Sequence, residues 1–248
     1  MAARRRVLGG TSRQRRDPEA TRAALLAAAR REFAAKGLAG ARVEEIAAIA
    51  GVNKQLVYHH FGSKDELYLA VLEEVYAEIR EREKELRLGD LPPREAMVQL
   101  VSASFDYLAE HPDFIALLND ENRHQAAHVR VSSRLHAMNS PLIALIAETL
   151  EKGEREGVFR KGVDSVDLYI SIAGLSYFYF SNLRTLSAIF GVDLATPDSV
   201  ASRRRHVVDF VLNAIRPEIR PGREWAEEFV SGVPGRTRRI GAMDLYNR

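Results

Sequence analysis

The sequence predicts an all-α fold in which an N-terminal three-helix domain, containing a helix-turn-helix, precedes a C-terminal helical bundle. Apolar residues recur at the three- and four-residue spacing of helices, no segment alternates as a strand would, and glycine or proline separates successive helical segments. With 248 residues, of which 46% are hydrophobic and 28% charged, the chain has the composition of a globular protein with a substantial core. We therefore predict one large or two ordinary helical domains.

The chain lacks cysteine and lacks an apolar stretch of membrane-spanning length, and both features exclude kinds of protein. The chain contains no cysteine, which excludes disulfide scaffolds, cysteine nucleophiles and thiolate metal sites, and suits a reducing cytoplasm. Its longest strongly apolar stretch, residues 168–180, is shorter than the roughly 20 residues that a membrane-spanning helix needs. The sequence thus predicts a cytoplasmic protein without a membrane partner.

Residues 43–64 predict two short helices joined by a tight turn. Gly51 supplies the left-handed backbone that ends the first helix, and Asn53 is a suitable N-cap for the second. The second helix has few residues to bury, chiefly Val57 and Phe61, and many polar ones, which is typical of a helix that reads the major groove of DNA. The alternative is an αα-corner without a nucleic-acid partner. The apolar stripe of the first helix, at i, i+3, i+4 and i+7, consists of Val43, Ile46, Ala47 and Ala50.

Charge is distributed unevenly along the chain. Residues 1–64 contain 13 Lys or Arg and five Asp or Glu, a balance of +8, so the whole-chain net charge of +2 leaves −6 for the remainder. A basic end joined to an acidic body indicates that one region meets phosphates and the other does not. We predict that residues 1–17 form a flexible basic arm that contacts DNA, with a merely solvated tail as the alternative.

The segment Ile46-Ala-x-x-Ala50-Gly51-Val52-Asn53-Lys54, followed by Tyr58-His59-His60-Phe61-x-Ser63-Lys64, resembles the N-terminal DNA-binding domain of the TetR family of bacterial transcriptional regulators. The resemblance runs without a gap from about residue 21 to residue 72. It implies base-facing roles for Lys54, Gln55 and His59, and phosphate contacts from Tyr58, His60 and Lys64. One departure is Ala41-Arg42, where the family usually has a threonine or serine that caps the second helix. Arg42 offers a phosphate contact in its place.

The remaining sequence predicts a connecting helix and a larger C-terminal domain. A helix over 65–88 follows the DNA-binding domain of residues 18–64, and its charged end is expected to be a solvated face with an ion pair between Glu78 and Arg82. Pro92-Pro93 marks the boundary to an effector-binding and dimerisation domain of residues 93–216, and residues 217–248 form a C-terminal appendage with a short helix near Trp225. Further helices are expected near residues 93–110, 113–128, 131–157, 164–190 and 198–215.

The C-terminal half suggests a second copy and a small molecule as partners. Residues 168–180 are apolar nearly all round, which indicates burial on more than one side. The resemblance implies that the last two long helices pack against their copies in a homodimer; the alternative is a central core helix of a monomer. The resemblance also implies a mostly apolar effector pocket, for which the candidate residues are Phe105, Phe114, Asn119, Arg123, His124, Tyr169, Tyr177 and Phe178.

Asp120, His124 and His128 stand at i, i+4 and i+8, a spacing that would place one oxygen and two nitrogen ligands on one helix face. Only His136 is available to complete a metal shell, and the chain has no HExxH motif. We therefore predict no metal, no cofactor and solvated or effector-facing histidines instead. The sequence has no P-loop, no dinucleotide-binding glycine motif and no nucleophile elbow, so we predict no enzymatic activity.

These observations predict a ligand-responsive, sequence-specific DNA-binding regulator of bacterial transcription, a repressor that a small effector releases from its operator. One alternative is a helical enzyme that uses a histidine and acid site around residues 120–128. Another is an architectural protein that binds DNA without sequence preference.

Overall fold

The computed structural model describes residues 17–217, and these residues form ten α-helices and two short 3-10 turns with no strand. The predicted basic arm and C-terminal appendage, with the helix near Trp225, lie outside the described residues except for Asp17 and Pro217 at their edges. The helices are α1 Pro18–Gly40, α2 Val43–Ile49, α3 Lys54–Phe61, α4 Lys64–Glu85, α5 Pro93–Glu110, α6 Pro112–Arg123, α7 Ser133–Arg155, α8 Ser165–Ser181, α9 Leu183–Phe190 and α10 Pro197–Ile215.

Helix α1 begins where its sequence indicates. The Asp17 side chain accepts a hydrogen bond from the backbone N–H of Glu19 at 3.0 Å, and Pro18 occupies the first turn. Gly37 interrupts the helix with a left-handed φ of 68°, and a last turn follows it to Gly40. Together α1, α2 and α3 form the predicted helix-turn-helix unit, whose all-helical fold the structure confirms.

The apolar core continues from this unit into the C-terminal half. One cluster of buried side chains joins Leu25 and Phe33 of α1, Val57 of α3 and Val71 of α4 with Phe114 of α6. A second cluster fills the space between α5, α7, α8 and α10. Helix α4 contributes to the first cluster along most of its length, so α4 packs directly against the helix-turn-helix.

Two boundaries differ from the sequence-based prediction. Helix α6 ends at Arg123 rather than near residue 128, because Gln125 and Ala126 both take left-handed backbone angles. The predicted helix 164–190 is divided at Asn182, whose side-chain amide donates to the Phe178 carbonyl and closes α8.

None of the helices within residues 17–217 has an apolar stretch of the length needed to cross a bilayer.

Candidate nucleic-acid interface and ligand cavity

The turn between α2 and α3 is built by local interactions. Gly51 has a φ of 66°, and the backbone N–H of Val52 donates to the Ala47 carbonyl at 2.9 Å, which closes the end of α2. The Asn53 side chain accepts from the backbone N–H of Gln55 at 2.9 Å and caps α3. Ile46 and Val57 are fully buried and hold the two helices together. The outer side of α3 is therefore fixed in orientation.

The residues predicted to contact DNA lie on α3 and at two neighbouring helix starts. Lys54, Gln55, Tyr58 and His59 are exposed, and His60 is half-buried against Phe61. Exposed Arg42 precedes α2, and half-buried Lys64 is the first residue of α4. Unpaired backbone N–H groups and the helix dipole favour an anion at a helix N-terminus, so basic side chains at these two starts suit phosphate contacts.

Lys54 has an acidic neighbour on the preceding helix. Its Nζ atom lies 3.5 Å from Oε1 of Glu44, and both side chains are more than half exposed. A hydrogen bond with its own backbone N–H lowers the pKa of the Glu44 carboxyl, and the charge of Lys54 lowers it further. Exposed ion pairs contribute little net stability, so Lys54 can exchange this partner for a nucleic-acid acceptor at small cost.

A buried carboxylate of α1 holds the backbone at Arg42, the residue that precedes α2. The Arg42 side chain makes no capping hydrogen bond, but its backbone N–H donates to Oε1 of Glu32 at 3.3 Å. Glu32 is buried and also accepts from Lys36 Nζ at 2.7 Å. The chain entering α2 is therefore anchored to α1 through the backbone of Arg42, and the Arg42 side chain remains exposed.

A cavity of about 320 Å³ lies between α4, α5, α6 and α8. Three of the predicted effector residues, Phe114, Tyr169 and Tyr177, line it. Asn119 lies behind the wall, where its side chain accepts a hydrogen bond from the Tyr177 hydroxyl and donates to Ser181 Oγ at 3.2 Å. The complete lining is Tyr76, Ile79, Arg80, Glu83, Ser104, Leu108, Phe114, Leu118, Tyr169, Ile170, Ala173, Gly174 and Tyr177.

The structure does not bring the other four predicted effector residues to this cavity. Phe105 is fully buried in the second core cluster against Phe180. Phe178 is 57% exposed. It follows Tyr177, which faces the cavity, and consecutive side chains of a helix point in different directions. Arg123 is the last residue of α6 and His124 follows it, and both contact Asp120 instead.

Two charged residues that line the cavity, Arg80 and Glu83, were not among the predicted effector residues. Both were expected on a solvated face, but their side chains are only 6% and 7% exposed. Val75, Ile79 and residue 83 are four positions apart and therefore lie on one face of α4. This spacing indicated burial of residue 83, but the high charge of the segment favoured a solvated face. The predicted pairing of Glu78 with Arg82 is also wrong, because Glu78 binds Arg30 of α1 and Arg82 binds Glu110 of α5.

The two buried charges face each other without a well-directed hydrogen bond. Nη1 of Arg80 lies 3.0 Å from Oε2 of Glu83, and Nη2 of Arg80 donates to the Tyr169 hydroxyl at 3.4 Å. Arg80 Nε, Arg80 Nη1 and Glu83 Oε2 are buried and have no hydrogen-bond partner among the described residues. Burial raises the pKa of the Glu83 carboxyl to about 7, although the Arg80 charge opposes the rise. The cavity thus has apolar walls and one polar end.

Asp120 and Glu121 at the end of α6 hold the neighbouring backbone. Oδ2 of Asp120 accepts from the backbone N–H of Leu38 at 2.7 Å, which ties α6 to the end of α1. Burial opposes ionisation of Asp120, but the Leu38 N–H and Arg123 outweigh it and lower the pKa of the carboxyl. Glu121 accepts from the backbone N–H groups of His128 and Val129 at 2.8 and 3.0 Å.

The proposed helical face of possible metal ligands does not form. His128 lies beyond the end of α6, against Glu121, and is not at the i+8 position of a continuous helix. Across residues 17–217 no group of three or more His, Cys, Asp or Glu is arranged to hold a metal ion. The pairing of Asp120 and Glu121 with backbone donors explains their burial without a metal.

The chain is similar in sequence to known transcriptional regulators. The HTH-type transcriptional repressor NicS of Pseudomonas putida is 37% identical over 196 residues, which cover 79% of this chain and 92% of NicS. A family model described as "Bacterial regulatory proteins, tetR family" matches residues 25–71, and one described as "Tetracyclin repressor-like, C-terminal domain" matches residues 93–211. The chain belongs to the TetR family.

Two proteins of Streptomyces coelicolor are also similar to this chain, one in sequence and one in fold. The HTH-type transcriptional repressor SCO4008 of Streptomyces coelicolor is 29% identical over 199 residues, which cover 78% of this chain and 98% of SCO4008. The crystal structure of SCO4942, also from Streptomyces coelicolor, superposes with a TM-score of 0.60 at 28% identity and covers 81% of this chain and 99% of its own. The prediction of a TetR-type DNA-binding transcriptional regulator is confirmed.

Proposed function

We propose that this TetR-family protein is a repressor that binds a DNA operator as a homodimer and leaves it when a small molecule fills the cavity between α4, α5, α6 and α8. The observation that carries the proposal is the double role of α6. Phe114 and Leu118 line the cavity, and Asp120 on the same helix holds the end of α1 through Leu38. The relatives NicS and SCO4008, both named repressors, support the sign of regulation.

Sequence preference is assigned to the exposed side of α3. Lys54, Gln55 and His59 are exposed and have donors or acceptors that suit base edges in the major groove. Phosphate contacts are assigned to Arg42, Tyr58, His60 and Lys64, and they would supply most of the affinity and its dependence on salt.

A homodimer is supported by an exposed apolar surface on the last helices. Large apolar side chains on α8, α9 and α10 remain open to solvent within one chain, among them Ile170, Phe178, Ile189, Phe190 and Phe210. Exposed apolar surface of this kind marks a protein interface. Pairing about a two-fold axis would place the second copy of α3 one turn of DNA away, at about 34–36 Å.

The mechanism follows from which helices line the cavity. Helix α4 contributes Tyr76, Arg80 and Glu83 to the cavity, and its first residue, Lys64, comes three residues after α3 ends. A ligand that fits one position of α4 and α6 better than another shifts the population toward that position. The two copies of α3 would then be separated by a distance that no longer matches the operator.

The two alternatives have less support. An enzyme at residues 120–128 would need free acid groups, whereas Asp120 and Glu121 are engaged by backbone N–H groups and by Arg123 and His128. An architectural DNA-binding protein would have no need of a ligand-sized cavity beside its recognition unit.

Selection of bound duplexes from a random pool, with the full-length protein and at one fixed salt concentration, tests the proposal. We expect enrichment of an inverted repeat whose half-sites are spaced by about one helical turn. Repeating the selection with added small molecules should identify those that release the enriched duplex. Recovery of the pool without any enriched sequence would refute sequence-specific binding and favour the architectural alternative.

A further inference from the structure

We propose that the effector is a small aromatic carboxylic acid, bound with its carboxylate on Arg80 and its ring among Tyr76, Phe114 and Tyr169. The inference rests on the proposed function, because it takes the cavity between α4, α5, α6 and α8 as the effector site. It adds the chemical class of the ligand, which the family membership of the chain does not specify.

The size and walls of the cavity select a compact ring compound. Its volume of about 320 Å³ is near the lower end of the ligand-pocket range of roughly 300–1,000 Å³. It is about twice the roughly 150 Å³ of an apolar cavity that accepts benzene, so one ring with substituents, or two fused rings, fills it. Tyr76 and Phe114 meet edge to face at 5.4 Å between centroids, and Tyr169 and Tyr177 supply further aromatic wall. Flat aromatic surfaces favour a flat aromatic guest.

The polar end of the cavity selects the substituent. Arg80 is buried, and Nε and Nη1 of its guanidinium have no hydrogen-bond acceptor among the residues described. A buried donor without an acceptor is costly, and a planar guanidinium matches the two oxygens of a carboxylate. Glu83 is close enough for charge attraction but is not oriented for a hydrogen bond with Nη1. A ligand carboxylate can therefore satisfy donors that Glu83 leaves open.

Protonation of Glu83 allows the carboxylate of a ligand to bind beside it in the cavity. Two carboxylates beside one guanidinium would leave an unpaired negative charge in the cavity, so Glu83 must take a proton when the ligand binds. Its raised pKa shows that this proton is held readily, and protonated Glu83 can donate to the ligand.

Among the groups that line the cavity, Glu83 is the one that can take up this proton near neutral pH. On α4 the ionisable neighbours are Arg80 and Tyr76, and burial raises the pKa of Tyr76 to about 12. Helix α8 contributes the tyrosines at 169 and 177, whereas α5 and α6 contribute only Ser104 and apolar side chains to the lining. The proton that accompanies the ligand therefore goes to Glu83.

Calorimetric titration of the full-length protein with benzoate and with benzamide tests the assignment. The two probes have nearly the same shape but differ in charge, and benzamide cannot offer two equivalent oxygens to Arg80. We expect benzoate to bind at least about tenfold more tightly, since a charged hydrogen-bond pair replaces a neutral one. Benzamide binding as tightly as benzoate, or benzoate binding too weakly to measure, would overturn the proposal.

Two variants at the polar end of the cavity test Arg80 and Glu83 directly. Their benzoate affinities should change in opposite directions, which a role of these residues in folding alone would not produce. Arg80→Lys should reduce benzoate affinity about tenfold, because the ammonium cannot bind both oxygens in the plane. Glu83→Gln should raise it about tenfold at pH 8, about one unit above the pKa of the wild-type carboxyl, because no proton has to be taken up. If Arg80→Lys does not fold, Glu83→Gln decides, and an unchanged benzoate affinity in this variant contradicts the proposal.

A third variant separates failure of this inference from failure of the proposed function. Ala173→Leu places extra side-chain volume in the cavity lining and should abolish binding of either probe. If benzamide binds the wild type but not Ala173→Leu, and benzoate binds neither, the cavity is a ligand site and only the acid is wrong. If Ala173→Leu leaves the binding of both probes unchanged, they bind elsewhere, and the cavity fails as the effector site.

Discussion

Replacing Glu83 by glutamine should stabilise the protein at high pH and remove part of its pH dependence. In the folded protein, burial raises the pKa of this carboxyl from its ordinary value of 4.5 to about 7. Between these two pH values the folded state holds a proton that the unfolded chain has lost. The free energy of unfolding therefore falls as pH rises from about 4.5 to about 7, and stays at the lower level above that range. Glutamine has no proton to lose.

The size of the effect follows from the pKa. Each pKa unit corresponds to about 1.4 kcal/mol, so the shift of Glu83 costs the wild type at most about 3 kcal/mol at pH 8. At pH 5 most of that cost is absent, because the folded carboxyl is protonated and the unfolded one is only partly ionised. The stability of Glu83→Gln relative to wild type should thus grow by about 2 kcal/mol between pH 5 and pH 8.

Urea unfolding at matched protein concentration, at several pH values between about 5 and 8, measures this difference. Glu85→Gln is the control, because residue 85 is on the same helix and exposed, and its stability difference should not vary with pH. If Glu83→Gln and wild type show parallel pH dependence, or if the variant is the less stable protein at pH 8, then Glu83 is ionised in the fold and stabilises it by pairing with Arg80.

Further predictions concern the DNA-binding surface, the link to α1 and the dimer. In competition binding, Lys64→Ala should weaken all duplexes alike and reduce the salt slope by about one unit, whereas Gln55→Ala should change the preferred sequence; an unchanged selection would refute base reading by this residue. Asp120→Ala leaves the buried Leu38 N–H unpaired and should cost about 1–3 kcal/mol of unfolding free energy, and an unchanged midpoint in urea would contradict this role. Phe190→Asp should give monomers in sedimentation, whereas Ile49→Asp, at a similarly exposed apolar residue outside that surface, should not.

The helix-turn-helix was predictable because its determinants are local. Gly51 is left-handed and Asn53 caps α3 as the sequence indicates, and these features depend on neighbours within a few residues. The end of α6 was not predictable in this way. Its apolar and polar pattern continues past Arg123, but Glu121 binds the backbone of residues 128 and 129 and holds the chain in a turn. That carboxylate has no signature in the sequence that distinguishes it from a surface acid.

The amino-acid sequence alone determined the helical class, the recognition helix and the family, because periodicity, caps and a contiguous motif act over short distances. The tertiary structure decided which side chains line the cavity. Arg80 and Glu83 are charged residues in a charged segment, and only the packing of α5, α6 and α8 over that face of α4 removes them from water. Periodicity shows which residues share a face of a helix; burial depends on what covers that face, and the covering helices are distant in sequence.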